Sequence, residues 1–145
     1  MNYTLEIEQA SAVYNPETRI AYIAYRGLLS SEVTVEVYAW LEYLYRTVGA
    51  EGFYGQIFDF TGVEEFAPSN ITTARRVSNR INMIIDTSHI PVGLIVGNFY
   101  HEQMLLSAMR VSPENVRKKI VWSEAEALSF FEQKHRDWAA EHESS

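Results

Sequence analysis

Phe53-Tyr54-Gly55-Gln56-Ile57-Phe58-Asp59-Phe60 leads into Thr61 to Asn70 (TGVEEFAPSN) and then Ile71 to Ile85 (ITTARRVSNRINMII). The first piece is apolar at both odd and even positions, the mark of a strand covered on both faces at the centre of a sheet. The last piece has helical periodicity, with Ile71, Ala74, Ser78, Ile81 and Ile85 as an inner stripe. The middle reads as the turn between them. Pro68 suits a first helical turn, and Ser69 suits the cap. Arg76 and Arg80 stand at i, i+4 on the outer face, where a solvated pair is a simpler reading than a grip on phosphate.

Working outward, Thr4 to Val13 and Arg19 to Arg26 read as strands joined by turn chemistry at Asn15-Pro16-Glu17-Thr18, so the sheet starts with an antiparallel hairpin. Gly27 ends the second strand and Ser30 or Ser31 caps a helix from Glu32 to Val48. Its stripe is Val33, Val37, Trp40, Leu41, Leu44 and Val48, with Gly49 at the C-terminal cap. Tyr38 and Tyr45 flank that stripe. On the other side of the central stretch, Ile90 to Gly97 is a second, nearly continuous apolar strand. A short helix, Phe99 to Val111, is broken by Ser112-Pro113-Glu114-Asn115. Lys118 to Trp122 is a last, edge strand, and Ser123-Glu124-Ala125-Glu126 is a capping box opening the final helix. The tail from Glu141 to Ser145 is expected to fray. With no repeat or linker in sight, residues 1–145 are expected to form one α/β domain with a mixed sheet of four to five strands and right-handed crossovers.

Composition bounds the function. A net charge of −7 argues against a nucleic-acid partner bound through counterion release. Residues 1–66 hold ten acidic and three basic side chains, whereas residues 67–145 hold nine of each. The acidic half reads as solvated surface, or as a face for a basic partner. No run is long enough for a membrane span, and the first residues show no signal sequence. The chain has no cysteine, which excludes disulfides and thiolate chemistry and fits a cytoplasmic address.

In a sheet of this kind ligands gather beyond the carboxyl ends of the parallel strands. That edge carries Asp59, Thr61, Glu64, Glu65, Asn98, Tyr100 and His101 as the candidate cleft. None of them forms a motif. His101-Glu102 lacks the second histidine of a helical zinc site, and His89, His135 and His142 are scattered, so no metal is expected. There is no phosphate loop and no nucleophile elbow, and the sequence nominates no catalytic residue and no cofactor.

Ile57-Phe58-Asp59-Phe60-Thr61-Gly62-Val63, followed by a loop and a helix, resembles the strand-turn-helix of STAS domains. The layout is similar to the SpoIIAA-like branch of small, mostly uncharacterised bacterial proteins, including its closing Val121-Trp122-Ser123-Glu124-Ala125-Glu126-Ala127-Leu128. The resemblance implies a β-α superhelix and a non-catalytic role in protein–protein signalling or regulation. In the antagonists of that family the loop ends in Asp-Ser-Ser-Gly, whose first serine is phosphorylated. Those positions here are Ala67, Pro68, Ser69 and Asn70, so proline replaces the acceptor, and Ser69 remains only a weak phosphorylation candidate. The alternative is a carrier of a small molecule or lipid, with its cleft at the strand ends. Strands that are apolar on both faces need cover on both, from the N-terminal hairpin, the first helix or the last helix wrapping round, or from a second subunit; the expectation is a homodimer drawing on Tyr22, Tyr25, Tyr38 and Tyr45.

Overall fold

A computed structural model describes residues 3–109 and 117–143. Six strands form one sheet in the order of the chain: β1 (Thr4–Ile7), β2 (Ala10–Asn15), β3 (Ile20–Leu29), β4 (Gly55–Phe66), β5 (Val92–Ile95) and β6 (Lys118–Val121). The first three are antiparallel, and β3 to β6 run parallel. The parallel strands are joined by α1 (Ser31–Val48), α2 (Asn70–Ile84) and α3 (Phe99–Met109), and α4 (Glu124–Glu143) follows β6.

This order dictates the layering. Right-handed crossovers between sequential parallel strands put every connecting helix on the same face. Helix α4 connects to no later strand among the described residues, so it is free to turn under β6 and cover the opposite face. There Ala127 and Phe131 pack on Ile57, Ile95 and Val121. The larger core lies on the first face, where Val33, Val37, Leu41 and Leu44 of α1 meet Ala21, Ile23 and Phe58 of the sheet. Gly55 and Gly93 let α4 approach: a Cβ on Gly55 would lie 2.5 Å from the Phe131 ring, and one on Gly93 would lie 2.7 Å from Ala127 Cβ.

Helices α1 and α4 are capped as their sequences direct. Ser30 Oγ accepts the Val33 amide at 3.4 Å, and Gly49 closes α1 with φ of 74°. Ser123 Oγ accepts the Glu126 amide at 3.1 Å, while the Glu126 carboxylate accepts the Trp122 amide at 3.4 Å. Arg80 of α2 reaches Glu42 of α1 at 3.4 Å, and Arg76 is exposed.

Four expectations need correction. Thr4 to Val13 is two strands, not one, because the chain turns at Glu8-Gln9 and pairs Ile7 with Ala10. The turn lacks the usual Gly or Asn, and Arg26 pins it by donating to the Ile7 carbonyl and to Ser11 Oγ, both at 2.7 Å. The sheet therefore has six strands instead of four or five. Secondly, β3 does not stop at Gly27: it continues to Leu29 through bulges, with Gly27 at φ of 72°. Thirdly, the supposed turn at Thr61 to Phe66 is the second half of β4, paired with that extension and burying Val63 and Phe66. Fourthly, only Ile81 of the α2 stripe is buried; Ile71, Ala74, Ser78 and Ile85 are half-buried, and the first three of these border a cavity below the helix.

The reason given for a dimer also changes. Tyr25 and Tyr45 are buried within the subunit, and Tyr22 is engaged with Asp59. The second face over β1 to β3 carries Thr4, Glu6, Ser11, Asn15 and Arg26 beside Val13 and Tyr22, a mixture that water can solvate. The expected end of α3 at Val111, the break at Ser112 to Asn115, and Ser144 and Ser145 lie outside the described residues.

Candidate functional site

The seven polar residues at the carboxyl edge separate into two hydrogen-bonded groups and two exposed acids. Asp59 lies on the α4 face of β4. Its Oδ2 accepts the Tyr22 hydroxyl at 2.6 Å, and its Oδ1 accepts the Thr61 amide and hydroxyl at 2.9 and 2.7 Å. Burial, and then this carboxylate, raise the Tyr22 phenol above its ordinary pKa.

The second group anchors α3 to the β4 extension. Asn98 Oδ1 caps α3 by accepting the His101 amide at 2.9 Å. His101 is wholly buried, and its Nδ1 accepts the Gly97 amide at 3.1 Å. That contact places the ring proton on Nε2, which donates to the Val63 carbonyl at 2.8 Å. Tyr100 Oη accepts the Phe66 amide at 2.9 Å. Glu64 and Glu65 are exposed on the edge of β4. Every polar atom of the His101 ring is thus committed to the backbone, which makes it a clamp rather than a base. Among the described residues no cluster of three or more His, Asp or Glu could hold a metal ion, and no helix is long and apolar enough to cross a membrane.

A concavity lined by aromatic rings lies elsewhere, between α1, α2 and the sheet, with none of those seven residues in its wall. It encloses about 150 Å³. Tyr25 stacks on Phe60 with centroids 5.3 Å apart and on Phe58 at 6.3 Å, and Tyr38 stacks on Phe58 at 6.1 Å. The Tyr45 hydroxyl accepts Gln56 Nε2, and Thr34 donates to Asn70. Arg117, immediately before β6, borders the same space and is 5% exposed. Its Nη1 donates to the Ile90 carbonyl at 2.9 Å, and its Nε has no partner among the described residues. Burial raises the phenols of Tyr25, Tyr38 and Tyr45, Tyr38 to about 12, while the Arg117 charge opposes this at Tyr38 and Tyr45.

Sequence reasoning did not find this cavity. Tyr25 and Tyr38 were assigned to an interface, and nothing local marks Arg117 as an inward cation. The one available signal was the weak apolar stripe of α2, with serine and alanine where a packed helix would carry larger residues.

No family profile and no curated protein sequence matches the chain. Solved structures do. An uncharacterised DUF3478-family protein with a SpoIIAA-like fold from Shewanella loihica PV-4 superposes with a TM-score of 0.59, at 12% identity over 84% of this chain and 91% of that one. The fold is SpoIIAA-like. The anti-sigma factor antagonist SpoIIAA in its unphosphorylated form matches with a TM-score of 0.50, at 11% identity over 77% of this chain and 88% of its own. An anti-sigma factor antagonist from Mycobacterium paratuberculosis gives 0.51 and 12% identity over 86% and 97% of the two chains.

Within the SpoIIAA-like frame, the β4–α2 connection is Ala67, Pro68 and Ser69. Ser69 occupies the N-cap position of α2, but its backbone is helical (φ −77°, ψ −11°) and its side chain makes no capping bond. This corrects the expectation of a serine cap, which requires an extended backbone. The Ser69 hydroxyl instead meets Ser31 Oγ at 2.9 Å, and Ser31 Oγ accepts Thr73 Oγ1 at 3.0 Å, tying the first turns of α1 and α2 together.

Proposed function

We propose that the chain acts as a non-catalytic, STAS-like interaction or regulatory module, working as one cytoplasmic domain over residues 1–145. The observation that supports this most is an exposed aromatic edge. Phe99 is 70% exposed, Trp122 50% and Tyr100 42%, and the pairing of Ile95 with Val121 sets the ends of β5 and β6 level beneath them. Exposed aromatic residues are enriched where protein surfaces meet. Two solved proteins of this fold are anti-sigma factor antagonists by name. Self-association through the half-open second face, at Val13 and Tyr22, is the homodimeric form of the same reading, and light scattering across micromolar concentrations tests it.

With proline at the acceptor position, regulation is proposed to proceed without a kinase switch at this loop. The test for the module uses a partner recovered with the native chain and then purified. Its affinity for the wild type is compared with that for the Phe99→Ser, Trp122→Ser double variant. A loss of about tenfold or more with unchanged thermal stability supports the reading. Unchanged affinity removes the aromatic edge from it, and the absence of any direct partner removes the reading itself.

A second reading, a carrier of a small molecule, is favoured by the enclosed aromatic cavity between α1, α2 and the sheet, away from the strand ends where the cleft was sought.

A further inference from the structure

Three features of that cavity bear on what would fill it. The first is size. About 150 Å³ is the volume of a cavity that takes up benzene, enough for one six-membered ring and short of a lipid chain. The second is shape: the Tyr25 and Phe58 rings are 16° from parallel, and those of Tyr38 and Phe58 are 20° apart. All of these rings stand in the wall, so the cavity is lined by aromatic surface that favours another ring.

The third feature is charge. Among the described residues the wall contains Arg75, Arg117 and Lys118 and no Asp or Glu, in a chain whose net charge is −7. Arg117 is nine-tenths buried with no ion pair to a described residue. Its single hydrogen bond to a described residue uses Nη1, so the Nε–Nη2 edge is left, and Nε has no partner among the described residues. That edge of a guanidinium is the one that takes both oxygens of a carboxylate. Burying such a cation without an acid is costly, and an anion placed beside it relieves the cost. The Ile90 contact satisfies Nη1, but it does not explain the unpaired Nε or the absence of acids among the described residues of the wall.

We propose that this cavity binds a small aromatic monocarboxylate, its ring among Tyr25, Tyr38, Phe58 and Phe60 and its carboxylate on Arg117. The proposal rests on the carrier reading and sharpens it from a generic apolar guest to an anionic one. Arg75 and the polar α2 residues Ser78 and Asn79, on the rim of the cavity, line the way in.

Calorimetric titration of the full chain with benzoate and phenylacetate, against benzamide, benzyl alcohol and inorganic phosphate, tests it. The expected result is saturable binding of the carboxylates, about tenfold or more tighter than benzamide, with phosphate failing to compete. Arg117→Leu should abolish the preference for benzoate over benzamide. Ala74→Phe, which fills the cavity from α2, should remove the binding of both. If benzamide and benzyl alcohol bind as well as benzoate, the carboxylate proposal falls and the carrier reading stands. Phosphate that competes equally with benzoate means a bare anion site and also overturns the proposal. If nothing binds, both fall. The ratio of benzoate to benzamide affinity in the wild type needs no variant, so a variant that fails to fold leaves the decision intact.

Discussion

Phe131 of α4 lies directly over Gly55 of β4, so close that a Cβ on the glycine would meet the ring at 2.5 Å. The ring is wholly buried and packs with Ile57, Ile95 and Val121 of the sheet. Gly55→Ala should therefore destabilise the fold by about 1–3 kcal/mol through overpacking, although alanine is ordinarily the better strand residue. Urea unfolding measures it. Gly55→Ala, Phe131→Leu should recover part of the loss, and an additive double variant would mean that the two residues do not press on one another.

Ile57 and Phe58 face opposite sides of the same strand, Ile57 toward α4 and Phe58 toward α1. Each truncation to alanine is expected to cost roughly 2–5 kcal/mol. Ile57→Ala should loosen α4, seen as faster amide exchange there, whereas Phe58→Ala should spare α4 and loosen α1. Equal effects on both helices would contradict the two-layer division of the core.

His101 and the pair Glu64, Glu65 were nominated together from the sequence, and the structure gives them different work. His101→Leu leaves the Val63 carbonyl and the Gly97 amide without their partner and should cost about 1–3 kcal/mol. His101→Gln, which can donate to the carbonyl, should recover some of it. Glu64→Gln and Glu65→Gln, on exposed side chains, should stay within about 0.5 kcal/mol of the wild type. Thermal denaturation of the four variants separates the clamp from the surface.

The buried phenols of Tyr25, Tyr38 and Tyr45 all ionise above the ordinary tyrosine value of 10.0, Tyr38 at about 12, with burial as the first cause. A phenol whose pKa is higher in the folded chain binds its proton longer there than in the unfolded chain. Stability is therefore full below pH 10 and falls as the pH rises toward 12. Ultraviolet titration of tyrosinate should show a late fraction that ionises only as the chain unfolds. If all nine tyrosines titrate together near pH 10, the aromatic cavity is open to water.

How far the sequence carries depends on the range of the forces involved. Periodicity and capping act within a turn or two of chain, and α1 came out with the expected stripe, the Ser30 cap and the Gly49 stop. The apolar run around Ile57 identified a strand covered on both faces, which is enough to require cover on each side but not to say that α4 supplies the second. The hairpin turn at Glu8-Gln9 was legible in retrospect: apolar residues move from odd positions (Leu5, Ile7) to even ones (Ala10, Ala12, Tyr14) across it. What decided that turn was Arg26, nearly twenty positions away in the chain, which satisfies the Ile7 carbonyl.

Only the tertiary structure decided the rest. The TGVEEF segment has the composition of a loop, and it is strand because the β3 extension lies beside it to receive its hydrogen bonds. Asp59 and His101 were named side by side as cleft residues, but pleat and helix geometry send one to the α4 face and bury the other against Val63. Residue type and spacing by themselves established an α/β chain with a doubly covered central strand. The cavity, with Arg117 beside Tyr25 and Tyr38, exists only because α2 stands off the sheet on small side chains, and a gap between elements distant in sequence leaves no local pattern to read.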